Sequence, residues 1–171
     1  DMRNDVSVVM TVLAVDPDCS PEICGMIATS IAISISDIPW NGPIAGISVG
    51  LVDGEIILNP DLEQRSKSDL NLTVAGTKDK VVMIEAGANE VDDDTMLEAI
   101  LKGHEEIKKM VAFISDIQAQ IGKKKFEFES MEVDHDMFDA IEELAAEKVK
   151  FALDTNDKNV REERLNPIKD E

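Results

Sequence analysis

The sequence predicts an α+β fold: a mixed or antiparallel sheet with packed helices, followed by a small all-α region. Three observations carry that expectation. Six of the nine glycines fall between residues 42 and 87, where short apolar runs alternate with turn signals. From Asp92 onward the apolar spacing changes from a period of about two to one of about 3.6 residues. With 171 residues and 43% hydrophobic content, the chain has material for one ordinary core plus an appendage.

Residues 6–15 are almost continuously apolar and rich in valine, which predicts a central strand covered on both faces. Ser20, Pro21 and Glu22 then supply an N-cap, a proline at the first helical position and an acid in the first turn. The segment that follows, to Ser36, is apolar nearly all round and is expected to be a buried helix. Its β-branched tail, residues 31–35, would suit a strand, but the start signal and the length decide for helix. Residues 39–43 form a turn cluster. Residues 44–52 and 55–58 flank Asp53 and Gly54, a pair preferred where both turn residues need positive φ, so a β-hairpin is expected. Asn59 and Pro60 end it. Leu70, Leu72 and Val74 alternate with Asn71 and Thr73 as in a half-buried strand, and residues 76–79 turn the chain into a partner at 81–84.

Met96, Leu97, Ile100, Leu101, His104, Ile107, Met110, Val111, Ile114, Ile117 and Ile121 form one helical stripe. Asp92, Asp93, Asp94 and Thr95 cap its start. Gly122 stops it, and Lys123, Lys124 and Lys125 are expected to offset the negative end of its dipole. Such a helix, at about 1.5 Å per residue, crosses the whole face of a small sheet. Residues 126–130 read as an extended linker. Phe138, Ile141, Leu144, Ala145, Val149, Ala152 and Leu153 mark a shorter amphipathic helix behind the acidic cap region 134–136. Residues 158–171 hold charge and one proline but little to bury, as at the start of another helix or a frayed end.

Composition narrows the function. Acidic residues number 36 against 17 basic, a net charge of −19, whereas phosphate contacts need clustered Lys and Arg. One Trp, five Phe and no Tyr leave little with which to stack bases. The residues themselves therefore argue against a free-standing nucleic-acid binder. No apolar run reaches the roughly 18 residues of a membrane span, and no signal-peptide pattern is visible. Cys19 and Cys24 form no C-x-x-C pair and lie far from His104 and His135, so they read as small apolar core residues in a reducing cytosol. The chain opens on Asp1 and enters its first apolar run almost at once, which leads us to expect a piece of a longer protein.

Candidate sites each have a plain structural alternative. Asp92, Asp93 and Asp94 are the densest acidic run, but at a helix start they serve as cap and solvated surface. Asp134, His135 and Asp136 are proximal enough to touch a metal, yet consecutive side chains diverge. His104, on the apolar stripe, reads as a packed histidine with one satisfied nitrogen. Gly42, Gly46 and Gly50 recur every fourth residue and indicate close backbone packing rather than a phosphate cradle. Lys123, Lys124 and Lys125 are the only basic cluster. No nucleophile-elbow, Walker or dinucleotide motif occurs. Unaided, the residues give an α+β domain with a helical annex and no chemistry.

Several segments nevertheless match in order and spacing over residues 3–125: Arg3-Asn4-Asp5-Val6, Ile38-Pro39-Trp40-Asn41-Gly42-Pro43-Ile44, Val49-Gly50, Leu58-Asn59-Pro60, Ser68-Asp69-Leu70, Val74-Ala75-Gly76-Thr77, Met96-Leu97-Glu98-Ala99, Gly103-His104-Glu105 and Gly122-Lys123. Each is weak alone. Together they resemble bacterial polynucleotide phosphorylase, a phosphate-dependent 3′→5′ exoribonuclease and nucleotidyltransferase of RNA degradation and processing. The resemblance implies that residues 1–122 are the later part of the first ribonuclease-PH-like core, 123–130 a linker, and 131–171 the start of the all-helical domain. It further implies a cytoplasmic ring-shaped homotrimer that acts with Mg²⁺ and inorganic phosphate, binds RNA through parts outside this segment, joins RNA-degradation complexes and has no membrane contact.

In that family a strand of pattern M-D-F-K-V-A-G and an Asp further on supply the metal-binding carboxylates of the second core. The equivalent strand here is Leu70-Asn71-Leu72-Thr73-Val74-Ala75-Gly76. Asn71 stands at the carboxylate position, Thr73 replaces the lysine, and Gly87 falls about where the later Asp would. A neutral amide cannot hold Mg²⁺ against water, and Asp69, at a strand start, reads as surface or turn. The resemblance thus implies a non-catalytic, ring-building segment with no catalytic residue, no metal ligand and no bound cofactor of its own. Its RNA-contact residues are unknown from this sequence, since the arginine-rich loops of the family precede residue 1. The competing expectations are an acidic protein-interaction module and a hydrolase built on Asp134, His135 and Asp136.

Overall fold

The computed structural model describes residues 2–171, which fall into two compact units: Asn4–Phe128, and Glu129–Glu171 grouped with residues 2 and 3. The larger unit contains α1 (Pro21–Ile35), β1 (Ala45–Val52), β2 (Glu55–Leu58), α2 (Leu62–Lys67), β3 (Leu70–Gly76), β4 (Val81–Ala88) and α3 (Asp93–Ile121). The four strands form one sheet in the order β2-β1-β3-β4, with every neighbouring pair antiparallel.

Local chemistry sets these elements. Asp53 and Gly54 both adopt positive φ, 52° and 80°, which gives the β1–β2 turn the twist its strands need. The second turn closes through Thr77, whose N–H donates to the Lys80 carbonyl at 2.9 Å. Ile47 and Val49 of β1 and Leu70, Leu72 and Val74 of β3 point to one face, where they pack on Ala99, Ile107, Val111 and Ile114 of α3. Gly103 lies at the closest approach of helix and sheet: a Cβ there would stand 3.2 Å from Val49 and 3.3 Å from Ile47. The helical stripe is therefore narrower than expected. Leu97 and Leu101 stay more than half exposed, while the small Ala99 and Gly103 are buried.

Three other expectations need correction. Residues 6–15 form no strand; they carry no regular secondary structure, and Val9 and Leu13 are 85% and 92% exposed. Their composition suits a doubly covered strand, but among the described residues no strand lies beside them to pair with. The segment lies along α1 instead, with the Met10 thioether over Gly25. Helix α1 forms behind its Ser20 cap as expected, yet it is not buried all round. Only Ile23, Ser30 and Ser34 are buried, because the sheet and α3 cover one side. Ser30 accepts the Ile44 N–H at 3.2 Å, and Met26 covers Gly46. Finally, Cys19 and Cys24 are exposed rather than core residues.

Helix α2 escaped the periodicity reading because six residues are too few to show a repeat. Its capping box was readable: Asp61 accepts the Gln64 N–H at 2.8 Å, and Gln64 accepts the Asp61 N–H at 3.0 Å. Strand β4 runs on to Ala88 through Ala and Gly, residues with little β-preference, because pairing with β3 carries it.

The smaller unit holds α4 (His135–Leu153) and α5 (Lys158–Asp170), an antiparallel-type helical pair. Arg164 of α5 donates to the Phe151 and Asp154 carbonyls at 3.1 and 3.2 Å and stacks 4.5 Å over the Phe151 ring, so one side chain finishes α4 and pins α5. Among the described residues no helix is long and apolar enough to cross a membrane.

Candidate functional site

The face of the sheet turned away from α3 carries the polar side chains. Ser48, Thr73 and Glu85 stand side by side across β1, β3 and β4. One step along, Asn71 is paired with Gly50 on one side and Gly87 on the other. An open cavity of about 580 Å³ is lined by Ser48, Asn71, Thr73 and Glu85 together with Asp16, Ser20, Glu22 and Arg65. Arg65 is already engaged: its guanidinium donates to the Pro60 carbonyl at 2.9 Å and to the Pro17 carbonyl. The Ser20 hydroxyl donates to Glu22 at 2.7 Å, and this bond holds the Glu22 carboxyl below its ordinary pKa.

Both strand neighbours of Asn71 are glycines, so no carboxylate stands beside its amide across either ladder. Asp69 accepts from the Asn89 side-chain amide at 3.2 Å, while its carbonyl takes the Asn89 N–H at 2.9 Å; it ties the end of β3 to the chain after β4. Glu85 faces Thr73.

The remaining candidates resolve into structural roles. Asp92 caps α3, accepting from the Thr95 N–H at 3.0 Å and its hydroxyl at 2.7 Å, and these bonds hold its carboxyl below the usual aspartate pKa. Asp134 caps α4 through the Met137 N–H at 3.1 Å, while His135 points to Glu132 at 3.8 Å, so the Asp134–His135–Asp136 run does not converge. His104 is 8% exposed, and its Nε2 lies 2.9 Å from the Thr77 carbonyl. A carbonyl only accepts, so Nε2 carries the proton, and the histidine ties α3 to the β3–β4 turn. The glycines at 42, 46 and 50 lie against Trp40, Met26 and Pro60 respectively, which is close packing.

Lys125 departs from expectation. Instead of facing the end of α3, its ammonium donates to the Ile33, Ser34 and Ser36 carbonyls at 3.2, 2.9 and 2.7 Å, closing the C-terminus of α1. The nearby backbone follows: Lys123 N–H donates to Ile35 and Phe126 N–H to Asp37. Spacing along the chain could not reveal a partner ninety residues away.

Residues 42–106, which span the antiparallel sheet and the first part of α3, match the model of the 3′ exoribonuclease family, domain 2. The crystal structure of rice (Oryza sativa) Rrp46 shares the fold, with a TM-score of 0.54 at 16% identity over 61% of this chain and 51% of that one. The particular relatives are bacterial. Polyribonucleotide nucleotidyltransferase of Ruminiclostridium cellulolyticum is 53% identical over 171 residues, all of this chain and 24% of the relative. Those of Bacillus cytotoxicus and Clostridioides difficile are each 50% identical, over 98% and 99% of this chain and 24% of each relative. Along its whole length the chain is similar to bacterial polyribonucleotide nucleotidyltransferases, and it spans about a quarter of the length of these relatives.

Proposed function

We propose that this chain is a non-catalytic scaffold segment of a phosphate-dependent 3′→5′ exoribonuclease. The complete enzyme cuts RNA by attack of inorganic phosphate on the 3′-terminal phosphodiester, releasing nucleoside diphosphates. The observation that carries the scaffold reading is Asn71 between Gly50 and Gly87: three adjacent strands present no paired carboxylates where the chemistry of such a strand needs them. Mg²⁺, phosphate and RNA are then handled by the parts of the protein outside this segment, in a cytoplasmic homotrimer to which residues 1–122 contribute core and 131–171 the beginning of a helical domain. The purified chain, given poly(A), phosphate and Mg²⁺, is expected to release no nucleoside diphosphate above a protein-free control by chromatography. Robust release overturns the reading.

The exposed segment 6–15 fits the same picture. Val9 and Leu13 offer β-branched and apolar surface to solvent, and about three-quarters of the relatives' length lies outside the matched segment, as chain with which to cover it. The isolated chain is expected to self-associate in sedimentation velocity, and Val9→Thr with Leu13→Thr to reduce that association. Placed in the full-length enzyme, the same pair is expected to lower thermal stability, because on this proposal the rest of the chain covers these positions.

A protein-interaction role has one observation in its favour: Met137, Phe138, Ile141 and Leu144 of α4 are all more than half exposed on a strongly acidic chain. A stoichiometric protein partner that is lost with Phe138→Ser and Ile141→Ser would favour it over the scaffold reading.

A further inference from the structure

We infer that residues 123–126 are a latch closed on the C-terminus of α1 by Lys125, and that the free connection to α4 begins only at Glu127. The last carbonyls of a helix have no N–H partner within it, and the last turn of α1 holds no basic residue. The segment that follows α3 supplies what is missing, so that carbonyls 33–37 are all engaged. Ile33 accepts from the Ser36 hydroxyl at 2.8 Å and from Lys125 Nζ at 3.2 Å. Ser34 and Ser36 accept from the same ammonium at 2.9 and 2.7 Å. Between them Ile35 accepts the Lys123 N–H at 3.0 Å, and Asp37 accepts the Phe126 N–H at 2.9 Å.

The next residues are bound to nothing comparable. Gly122 leaves α3 in an extended conformation, φ −65° and ψ 142°, and residues 122–134 carry no regular secondary structure. Lys125 is nevertheless half-buried, whereas every residue from Glu127 to Val133 is exposed. Among the described residues, the hydrogen bond made within 127–133 is a local one, from the Glu132 N–H to the Ser130 hydroxyl at 3.2 Å. Backbone that is exposed and unbonded opens freely, while backbone held by several bonds opens rarely.

One side chain therefore decides where the connector starts. The Lys125 bonds are charge-assisted, the stronger kind, and they sit between the two backbone bonds of the latch. With the ammonium in place the free chain is 127–133. With it withdrawn, two neutral N–H bonds remain and the free chain lengthens to 123–133. Lys123 and Lys124 stay exposed throughout, which makes them internal references for the third lysine of the run.

The test is amine labelling of the whole chain with a limiting amount of an N-hydroxysuccinimide ester of acetic acid. The amine nitrogen attacks the ester carbonyl, an amide forms, N-hydroxysuccinimide leaves and a proton passes to solvent. Lys125 must quit its three carbonyls before it reacts, so in the folded chain it is expected to label roughly tenfold more slowly than Lys124, and at the same rate in concentrated urea. Mass spectrometry of the peptide ending at Glu127 reads the ratio. In Lys125→Met, trypsin is expected to cut after Lys123 and Lys124 several-fold faster than in the unaltered chain. Cutting after Glu129 and Glu132 by a glutamate-specific protease is expected to stay the same, because those sites lie beyond the latch. Equal labelling of Lys124 and Lys125 in the folded chain, or equal trypsin rates in the two proteins, overturns the assignment. Should the variant unfold throughout, seen as faster cutting at the glutamates as well, the labelling ratio in the unaltered chain decides alone.

Discussion

Ile107→Ala is expected to destabilise the larger unit by about 2–5 kcal/mol. Ile107 is wholly buried at the centre of the apolar layer, against the side chains of β1 and β3. Truncation removes its methyl and methylene contacts and leaves a space that the surroundings cannot close. One turn earlier, Gly103 already brings α3 to within van der Waals range of Ile47, Val49 and Val74. The helix cannot move further inward, and the strands are held by ladders on both sides. A loss of this size lowers the melting temperature by on the order of 10 °C in a domain of this length. Leu101→Ala is the internal comparison, since Leu101 sits on the same helix but is 54% exposed; its cost is expected to stay within about 1 kcal/mol. Urea unfolding of the two variants decides the matter. Equal midpoints would mean that α3 is not what the sheet packs against.

That contrast shows where sequence patterning is informative and where it stops. The hairpin at Asp53 and Gly54, the β3 alternation and the Asp92 cap depend on residues within a few positions of one another, and each could be read from the chain. The helical stripe was legible as a period, but its depth was not. Burial at Ala99 and Gly103 rather than Leu97 and Leu101 depends on how closely two elements approach, which is a tertiary quantity. Residues 6–15 failed for the opposite reason: their composition describes two covered faces, while burial needs neighbours that none of the described residues supply. The candidate site shows the same division. That Asn71 is an amide was evident from the chain, but that it lies between two glycines follows only from the register of three strands. Cys19 and Cys24 read as core because cysteine is usually buried, yet both are exposed, since burial depends on what packs against the start of α1 and not on residue type.

Lys125→Met is expected to cost about 2–3 kcal/mol, a large effect for a partly exposed side chain. Methionine keeps the stem and its packing but deletes all three donors. The last turn of α1 contains no basic residue of its own, so the Ile33, Ser34 and Ser36 carbonyls have Lys125 as their cation. Without it, the negative end of the helix faces a partly buried environment uncompensated. The backbone bonds from Lys123 to Ile35 and from Phe126 to Asp37 then lose the clamp between them. Unfolding is therefore expected to begin locally: amide exchange should quicken over residues 31–37 and 123–126 well before it does in β1 or β3. Lys125→Arg separates charge from geometry. A guanidinium retains the charge, but its planar fork cannot converge on three carbonyls as a tetrahedral ammonium does. Arginine is expected to recover the long-range dipole contribution and only part of the stability. Full recovery by arginine would reduce the clamp to simple charge. An unchanged exchange pattern in Lys125→Met would show that the end of α1 is held by the flanking backbone alone.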